Sequence, residues 1–381
     1  MRTIAFVTGS RGEYGYIRPI VRAIQRDPAL EYSMIVTNLH LLPDFGSSVE
    51  EIEQDGLKIS DRLYMALDGY TPASMSKSLG VCLMSLTDAL VRLKPDLVLL
   101  AGDRGEQLMA AIAASHMNIP VAHIQAGELS GNIDGMTRHA ITRFAHLHFA
   151  ASREAAERLR RMGEEPFRIH LTGAPQLDEL LDGHHTTPEE IASLFRLNLQ
   201  DPVVLLVQHP VTEEYGQAVA QMQETLEAVC SLGHQTVAIF PNNDAGNHEI
   251  RRMLERYHRP FIRLERNVPR QLFAGLMRVA SVMVGNSSAG LIEAPCFKLP
   301  AVNIGTRQRG RQRGNNVIDV SADQRQIRGA IEQALSPGFR RTLEARCDNP
   351  YQGDGNVSGR IVQIVKTIPI TDELLKKQVA Y

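Results

Sequence analysis

The sequence predicts an α/β protein made of two doubly wound parallel sheets with a cleft between them. Short apolar runs alternate with longer runs whose apolar residues recur at helical spacing, and this alternation extends over both halves of the chain. The strand-like runs are continuously apolar, which is typical of parallel sheets covered by helices on both faces. At 381 residues the chain is long enough for two cores of this kind. The cleft between the two halves is where we expect a binding site.

The first half of the chain opens with a strand and closes near residue 175. Its predicted strands cover 2–8, 32–37, 97–101, 120–124 and a segment that starts at 146. Its predicted helices cover 16–26, 73–93, 106–116, about 138–149 and 153–162. We place the domain boundary after residue 177, because residues 178–201 read as a polar connection with short helices.

The second half repeats the alternation. Its predicted strands cover 203–207, 236–240, 281–285, 301–304 and 316–320. Its predicted helices cover 217–232, 247–257, 269–280, a segment after residue 288, 322–335 and 357–368. This pattern predicts a second domain over residues 178–356.

Composition and charge exclude several classes of function. A net charge of −2 provides no basic field for broad binding of nucleic acid or of membrane surfaces. No apolar run approaches the roughly 20 residues that span a bilayer, and the N-terminus lacks the pattern of a signal peptide. The cysteines are scattered without metal-ligand spacing. We therefore expect a cytoplasmic protein with free thiols and no metal site. The cysteines are Cys82, Cys230, Cys296 and Cys347.

The segment Thr8–Gly15 joins the first strand to the first helix and is rich in glycine. Backbone N–H groups and a helix N-terminus in this arrangement could hold a phosphate. The spacing matches neither G-x-G-x-x-G nor a Walker loop. A plain tight turn with a surface arginine explains the same residues equally well.

Charged side chains concentrate in the loop 123–139, which follows a predicted strand. Another carboxylate follows the neighbouring strand 97–101. Ligands of open parallel sheets bind at the carboxyl ends of the strands, so we expect these groups to face one substrate. Crowded carboxylates have pKa values that are driven apart, which suits acid–base chemistry. Each one alone could equally be a turn residue or a helix cap. The candidates are Asp103, Glu128, Asp134 and Arg138.

Residues 285–290, with the sequence Gly-Asn-Ser-Ser-Ala-Gly, form the best candidate anion site. Small residues let the backbone approach a ligand, Ser287 and Ser288 can donate from their hydroxyls, and a following helix adds partial positive charge. Four arginines in 307–313 favour phosphate. An ordinary helix cap and a solvated loop are the structural alternatives.

Two further side chains near these segments are candidates. Glu293 could accept hydrogen bonds from ribose hydroxyls, or it could be an ordinary exposed residue of a helix. His209 ends the strand 203–207 and precedes a proline, so it could contact a phosphate or transfer a proton. A hydrogen-bonded structural histidine is the alternative for this position.

Taken together, eleven ordered segments resemble the UDP-N-acetylglucosamine 2-epimerase family, and in particular its hydrolysing members. The resemblance covers nearly the whole chain, and the order of the matches makes it specific. The segments are Thr8–Tyr14, Gly102–Arg104, His123–Glu128, Ser130–Asp134, Arg138–Thr142, Gly173–Pro175, Gln208–Thr212, Phe240–Gly246, Gly285–Ser288, Gly305–Gln308 and Gly353–Asn356.

The resemblance implies two Rossmann-like domains in the arrangement of GT-B glycosyltransferases, with the C-terminal segment 357–381 returning to the first domain. It implies no metal, no redox cofactor, and a dimer or tetramer. The implied UDP ligands are Arg11, Asn242, Gly285, Ser287, Ser288, Glu293 and Arg307. The implied catalytic and sugar-binding residues are Asp103, Glu128, Asp134, Arg138 and His209, with Gln125 and His139 beside the sugar.

The reaction that the resemblance implies is elimination of UDP from a 2-acetamido sugar. Water then adds to the resulting glycal, and C2 is protonated on the opposite face. A glycosyltransferase that uses the same nucleotide site would instead leave C2 unchanged, and a nucleotide-sugar sensor would bind without turnover.

Two residues depart from the family pattern. Gln125 stands where the family usually has Glu, and Tyr16 stands where a Lys is common. The variants Gly-Ser-Arg-Gly-Glu-Tyr and His-Ile-Gln-Ala-Gly-Glu resemble the branch that serves legionaminic acid biosynthesis. That resemblance implies UDP-N,N′-diacetylbacillosamine as the substrate, in preference to UDP-N-acetylglucosamine.

Overall fold

The computed structural model describes residues 1–68, 71–183, 186–257, 259–351 and 353–380, and it contains two parallel β-sheets with helices on both faces. Elements of the first half are β1 (Arg2–Thr8), α1 (Arg11–Gln25), β2 (Leu30–Thr37), α2 (Val49–Gln54), β3 (Ile59–Leu63), α3 (Pro72–Leu93), β4 (Leu97–Ala101), α4 (Gly105–His116), β5 (Val121–Ile124), α5 (Ile133–Phe144), β6 (Leu147–Ala150), α6 (Arg153–Arg161), β7 (Ile169–Leu171) and α7 (Asp178–Leu181).

The remaining elements form the second sheet, its helices and the C-terminal segment. They are α8 (Pro188–Phe195), β8 (Val203–Val207), α9 (Ala218–Leu232), β9 (Gln235–Ile239), α10 (Asn247–Arg256), β10 (Ile262–Glu265), α11 (Arg270–Val279), β11 (Val282–Gly285), α12 (Ala289–Ile292), β12 (Ala301–Ile304), β13 (Val317–Val320), α13 (Gln324–Leu335), α14 (Pro337–Ala345), α15 (Val357–Thr367) and α16 (Asp372–Leu375). Short 3-10 segments lie at Asn38–Leu41, Pro43–Phe45, Pro166–Arg168, Pro175–Leu177, Thr212–Gln217 and Ala294–Phe297.

Both sheets have a doubly wound strand order, which confirms the predicted fold class. The first sheet runs β3-β2-β1-β4-β5-β6-β7, and the second runs β10-β9-β8-β11-β12-β13. The strand order reverses between β1 and β4 in the first sheet and between β8 and β11 in the second. Such reversal points leave a crevice at the carboxyl ends of the strands, where ligands of α/β proteins bind.

The C-terminal helix α15 packs on the first sheet. Its buried residues Val357, Ile361 and Val365 belong to the same apolar cluster as Phe6 of β1 and Ile17 of α1. Side chains of α15 therefore share a core with the start of the chain, although the second sheet lies between them in sequence. The domain boundaries at residues 177 and 356 stay a prediction.

Helix α1 begins at Arg11, five residues before the predicted start. Ser10 caps the helix by accepting a hydrogen bond from the Glu13 N–H, and the Glu13 carboxylate accepts from the N–H groups of Gly9 at 2.6 Å and Ser10 at 3.0 Å. The carboxylate therefore occupies backbone donors that a phosphate would need. The N–H groups of Gly9 and Ser10 are therefore occupied, whereas Arg11 and Gly12 line the cavity described below. The phosphate-cradle interpretation of this turn stays a prediction.

Other boundaries differ from the prediction for local reasons. Helix α5 starts at Ile133 and ends at Phe144, so Asp134 lies in its first turn and not in a loop. Strand β10 was not predicted, because an edge strand of four half-buried residues carries no continuous apolar run. Helix α14 was not predicted either; it follows α13 directly, and Ser336 caps it by accepting from the Phe339 N–H at 3.3 Å. Within the described ranges no helix is both long and apolar enough to cross a membrane.

Candidate functional site

Loops from the carboxyl ends of strands in both sheets line one cavity of about 150 Å³. Arg11 and Tyr16 of α1 form part of the wall on the first-sheet side. The wall on the second-sheet side includes predicted residues from four separate loops. These residues are His209, Asn242, Ser287, Ser288, Glu293 and Arg307. The structure therefore brings together most of the residues predicted to bind UDP.

The chain around Gly285 makes a close backbone crossing next to this cavity. Gly285 has a φ of +125°, and a Cβ added there would lie 2.1 Å from the carbonyl oxygen of Val207. Asn286, the next residue, accepts from the His209 N–H at 2.7 Å and donates to the His209 carbonyl at 2.8 Å. Glycine at 285 thus lets the loops after β8 and β11 lie against each other.

We expect Gly285→Ala to destabilise the protein by about 3 kcal/mol or more, because the new methyl group meets a backbone carbonyl and the positive φ becomes strained. The measurement is the urea unfolding midpoint followed by circular dichroism. Gly329→Ala is the matched control, since Gly329 lies within α13 and an added Cβ has open space. The control should change stability by less than about 1 kcal/mol. Equal midpoints for the two variants would contradict this account of Gly285.

Ser287 and Ser288 line the cavity, but the helix that follows them is short. Helix α12 has four residues, so the helix dipole expected from the sequence is small here. Ser288 is the N-cap residue of α12, but its hydroxyl accepts no hydrogen bond from the first turn of the helix. The Ser287 hydroxyl accepts from the Ala289 N–H at 3.3 Å. Any anion at this point is bound mainly by hydroxyl donors and by neighbouring arginines.

His209 is buried and held in a defined tautomer. The Asn242 N–H donates to its Nδ1 at 3.1 Å, so Nε2 carries the proton when the ring is neutral. Burial, together with the charges of Arg307 and Arg11, holds the pKa of His209 well below its usual value. A neutral His209 lining the cavity is therefore a hydrogen-bond donor and not a cation.

Two arginines connect the two sheets at the cavity. Arg11 donates to the carbonyls of Phe240 and Arg266, both at 3.1 Å, and burial lowers its pKa to about 10. Arg307 donates to the Asn286 carbonyl at 3.2 Å, and its Nη2 lies 3.6 Å from Oδ2 of Asp134. Positive charge is thus concentrated between the serine loop and the carboxylates of the first sheet.

Asp103 is paired with a buried arginine. Its Oδ2 contacts the Arg138 guanidinium and accepts from the Ser130 hydroxyl at 3.1 Å. Arg138 also donates to the carbonyl of Gln125 at 2.8 Å. Burial opposes ionisation of Asp103, but the guanidiniums of Arg138 and Arg311 hold its pKa below the usual value.

Asp134 has the opposite shift. Burial first, and then the negative charge of Asp103, raise the pKa of Asp134 to about 6, although Arg307 lowers it. Asn132 donates to its Oδ2 at 2.9 Å. The two carboxyls therefore differ in pKa in the way that the sequence analysis expected of a catalytic pair.

Glu128 and Gln125 are buried, and like Asp103 and Arg138 they are not among the residues that line the cavity. Glu128 is buried and accepts from the hydroxyls of Ser152 at 3.3 Å and Tyr351 at 3.2 Å. Gln125 has a positive φ of +59°, and its Oε1 accepts from Arg311 at 3.4 Å. Its buried Nε2 has no hydrogen-bond partner among the described residues.

Two predicted residues have surroundings that differ from those expected. His139 is half-buried on α5 and is not among the residues that line the cavity. Burial and the charges of Arg138 and Arg158 lower its pKa. Glu293 lines the cavity but forms an ion pair with Arg270 at 2.5 Å. Sugar contact for His139 and ribose contact for Glu293 stay predictions.

Part of the cavity wall comes from residues that no sequence motif predicted. Val268 and Phe273 supply apolar surface, and Arg270 and Gln176 supply polar groups. Arg270 donates to the Gln176 carbonyl at 3.1 Å, and its backbone N–H donates to Glu51 at 2.6 Å. These residues come from different elements and form no motif, so no local spacing marks them as a site.

Comparisons with known proteins agree with this geometry. The family model described as UDP-N-acetylglucosamine 2-epimerase matches residues 22–366. A relative from Legionella pneumophila named UDP-N,N′-diacetylbacillosamine 2-epimerase (hydrolyzing) is 37% identical over 382 residues, covering 100% of each chain. A UDP-N-acetylglucosamine 2-epimerase from Neisseria meningitidis serogroup B is 31% identical and covers 89% of each chain.

A solved structure has the same fold as this protein. The Neisseria meningitidis UDP-GlcNAc 2-epimerase bound to UDP-GlcNAc superposes with a TM-score of 0.79 at 20% identity, covering 96% of this chain and 99% of that one. The GT-B arrangement predicted from the sequence is therefore confirmed, and the glycosyltransferase alternative is not favoured. On the family match and the full-length similarity, this chain belongs to the UDP-N-acetylglucosamine 2-epimerase family.

Proposed function

We propose that this protein is a hydrolysing UDP-sugar 2-epimerase that converts a UDP-2-acetamido sugar into UDP and the free manno-configured sugar. The observation that carries the proposal is a pair of carboxyls with opposite pKa shifts, Asp103 and Asp134, next to an arginine from the nucleotide side. We favour UDP-N,N′-diacetylbacillosamine over UDP-N-acetylglucosamine, because a relative named for the former is 37% identical over the full length.

In this proposal the second sheet holds the nucleotide. The diphosphate lies among the hydroxyls of Ser287 and Ser288, the neutral His209 and the guanidiniums of Arg11 and Arg307, which all line one cavity. The apolar surface of Val268 and Phe273 suits one face of the uracil, and Glu293 suits the ribose hydroxyls. Donors fixed in place before the reaction stabilise charge as it develops on departing UDP.

The first chemical step is elimination across C1 and C2. Asp134 removes the C2 proton, the C1–O bond breaks, and UDP leaves with the bonding electron pair, which gives a 2-acetamidoglycal. A pKa of about 6 makes Asp134 ionised at neutral pH and a stronger base than Asp103. Arg307 lies within reach of both the base and the proposed diphosphate position, so it can stabilise the departing anion.

The second step is addition of water to the glycal. The hydroxyl group adds at C1, and C2 takes a proton on the face opposite to the one that lost it. We assign this proton transfer to Asp103, which is held by Arg138 and Ser130. Its carboxylate is ionised before the step, takes a proton from the attacking water and delivers that proton to C2, while Asp134 returns the proton gained in the first step to solvent. Glu128 accepts a hydrogen bond from Tyr351, and Gln125 accepts from Arg311 and Arg138. In this proposal Glu128 and Gln125 hold the side chains around Asp103 in position.

We propose that the enzyme is a cytoplasmic dimer or tetramer and that its product feeds legionaminic or sialic acid biosynthesis. Size-exclusion chromatography with light scattering tests the oligomeric state, and a monomer at working concentration would contradict it.

The decisive experiment is turnover in heavy water. The protein is incubated with UDP-N,N′-diacetylbacillosamine and, separately, with UDP-N-acetylglucosamine. UDP release is followed by phosphorus NMR, and C2 of the product by proton NMR. We expect equimolar UDP and free sugar, with inverted C2 carrying deuterium. Product with protium at C2 and retained configuration indicates a glycosyltransferase or simple hydrolase and overturns the proposal.

Arg307→Gln should lower kcat/KM by about a hundredfold to a thousandfold, because it removes one charged donor aimed at the departing UDP. It should also shift the acid limb of the pH profile upward, since Arg307 lowers the pKa of Asp134. Arg309→Gln, an exposed residue of the same loop, is the control and should change kcat/KM by less than threefold. Equal losses in the two variants would show that loop charge, and not Arg307, is responsible.

A further inference from the structure

The C-terminal tail, residues 376–380, packs against the end of α5. Contacts on both sides of Lys377 fix the chain there. Before it, the buried Arg168 donates to the carbonyl of Leu374 at 2.8 Å. After it, the Ala380 N–H donates to the Gly163 carbonyl at 2.8 Å. The side chain of Lys377 is therefore held in a defined place on the first sheet's side of the molecule.

The Lys377 ammonium binds the last carbonyls of α5. Its Nζ donates to the carbonyls of Thr142 at 2.6 Å and Ala145 at 2.8 Å, and it lies 2.6 Å from Oε2 of Glu164. The carbonyl of Arg143 is farther away, at 3.4 Å. Three close acceptors match the three N–H donors of an ammonium. Because the final carbonyls of a helix lack partners within the helix and carry partial negative charge, a cation there stabilises the last turn.

Helix α5 carries two side chains of the proposed chemistry, Asp134 in its first turn and Arg138 in its second. Within α5, all of whose residues the structure describes, Ile141 is the one apolar side chain that is fully buried. The side chain of the N-cap residue Asn132 donates to Asp134 at 2.9 Å and does not cap the first turn. A helix with so little apolar burial depends on polar contacts at its ends to stay in place.

We propose that Lys377 is a positioning residue for the reaction, because its ammonium holds α5, and with it Asp134 and Arg138, in the place that the chemistry needs. This inference rests on the proposed function for the roles of those two side chains. Thr142, whose carbonyl Lys377 binds, also donates its hydroxyl to the Arg138 carbonyl at 3.1 Å. The contact is thus one helical turn from Arg138, and a misplacement of about 1 Å at a catalytic group can cost about a hundredfold in rate.

Glu164 gives Lys377 a second role, in stability alone. Its side chain is fully buried and accepts from Arg143 at 3.0 Å and from Nε2 of His148 at 2.8 Å. Burial opposes ionisation of Glu164, but hydrogen bonds from His148 and Lys377 hold its pKa below the usual value. Removing Lys377 leaves this buried carboxylate with less compensation, which lowers stability. A variant that neutralises both partners therefore separates stability from the position of α5.

Lys377→Met keeps the length of the side chain but removes its charge and its donors. We expect kcat per folded protein to fall by about tenfold or more, while UDP affinity stays within about threefold, because the nucleotide cavity lies elsewhere. Lys376→Met is the matched control, since that lysine is exposed and pairs with Asp372 on the surface; its kcat should stay within about twofold of the wild type. The double variant Glu164→Gln/Lys377→Met should regain at least half of the lost Tm, with kcat still as low as in Lys377→Met.

The pH profile gives a readout that a loss of stability does not imitate. Burial lowers the pKa of Lys377 to about 8, although the bond to Glu164 raises it. As pH rises through 8 the amine loses its charge, so the wild-type kcat should fall toward that of Lys377→Met, and the variant should show no such fall. Burial lowers the pKa values of His146 and His148 to about 4, so neither ring titrates in this range. The titratable and charged groups that face the ammonium are Glu164, Arg143, Arg168, His146 and His148.

The inference is overturned if Lys377→Met keeps kcat within about twofold of the wild type, or if the double variant regains kcat together with Tm. Failure of the proposed function is a separate outcome, in which the wild-type protein releases UDP from no donor. The readout is then hydrogen exchange followed by mass spectrometry. Amides in the second turn of α5 should exchange about tenfold faster in Lys377→Met than in the wild type or in Lys376→Met. Unchanged exchange in that turn would overturn the inference.

Discussion

Replacing Asp134 by Asn will lower kcat by about a thousandfold while UDP still binds within about threefold of the wild-type affinity. The amide keeps the shape of the side chain but cannot accept the C2 proton, and loss of a general base costs about a hundredfold to ten-thousandfold. Asp134 contacts Arg307 and Asn132 but does not line the nucleotide cavity, so UDP affinity should be retained. The measurements are UDP release at saturating substrate and UDP affinity by calorimetry.

The pH profile supplies an independent test of the same residue. With a pKa of about 6, raised by burial and by Asp103, Asp134 is mostly protonated below pH 6 and mostly ionised above it. Because the base must be ionised, kcat/KM should rise about tenfold per pH unit below pH 6 and level off above it. A profile that falls as pH rises through 6 would show that Asp134 acts as the acid instead.

Asp88→Asn is the matched control for this variant, because Asp88 is an exposed carboxylate on α3, away from the nucleotide cavity. It should retain wild-type kcat and pH dependence. A thousandfold loss in Asp134→Asn that is accompanied by loss of UDP binding would indicate damage to the nucleotide site and would contradict the assigned role.

Replacing Asp103 by Asn should separate the two chemical steps. In this variant we expect UDP to be released while the 2-acetamidoglycal accumulates, because Asp134 remains to carry out the elimination. Formation of the free sugar should fall by about a hundredfold to a thousandfold. The enol ether proton of the glycal gives a proton NMR signal that neither the substrate nor the free sugar has.

A synthetic glycal provides the reverse experiment. Asp134→Asn should hydrate it at a rate near that of the wild type, and Asp103→Asn should not. The opposite pattern would exchange the two assignments, and failure of both variants would mean that the two carboxyls act together in each step. Asn at 103 keeps an oxygen that accepts from Ser130 and from Arg138, so the buried arginine is not left without a partner.

The sequence predicted local features well. Strand β4 has the predicted bounds, and α3 and α4 begin one residue earlier than predicted, because continuous apolar runs and helical spacing are properties of short segments. The start of α1 was missed because the capping pair Ser10 and Glu13 satisfies the backbone of a stretch that looks like a glycine-rich loop. Strand β10 was missed because its residues are half-buried and partly charged.

The candidate site was predictable to the extent that its residues lie in motifs. Ser287, Ser288 and Arg307 stand in recognisable segments, and the structure places all three on one cavity. Val268 and Phe273 line the same cavity without a motif. Their position depends on how α11 and the chain before it pack against the second sheet, which no short window of sequence specifies.

The sequence by itself determined the α/β class, the doubly wound alternation, the family and the residue types available for chemistry, since these follow from local pattern and ordered motifs. Only the tertiary structure decided that Asp103 is stabilised as an anion while Asp134 titrates near pH 6. It also decided that a second, largely apolar cavity opens beside Asp134. The physical reason is that desolvation and charge interactions depend on distances between residues such as Asp103, Asp134 and Arg307, which are far apart in sequence and meet only when both sheets are in place.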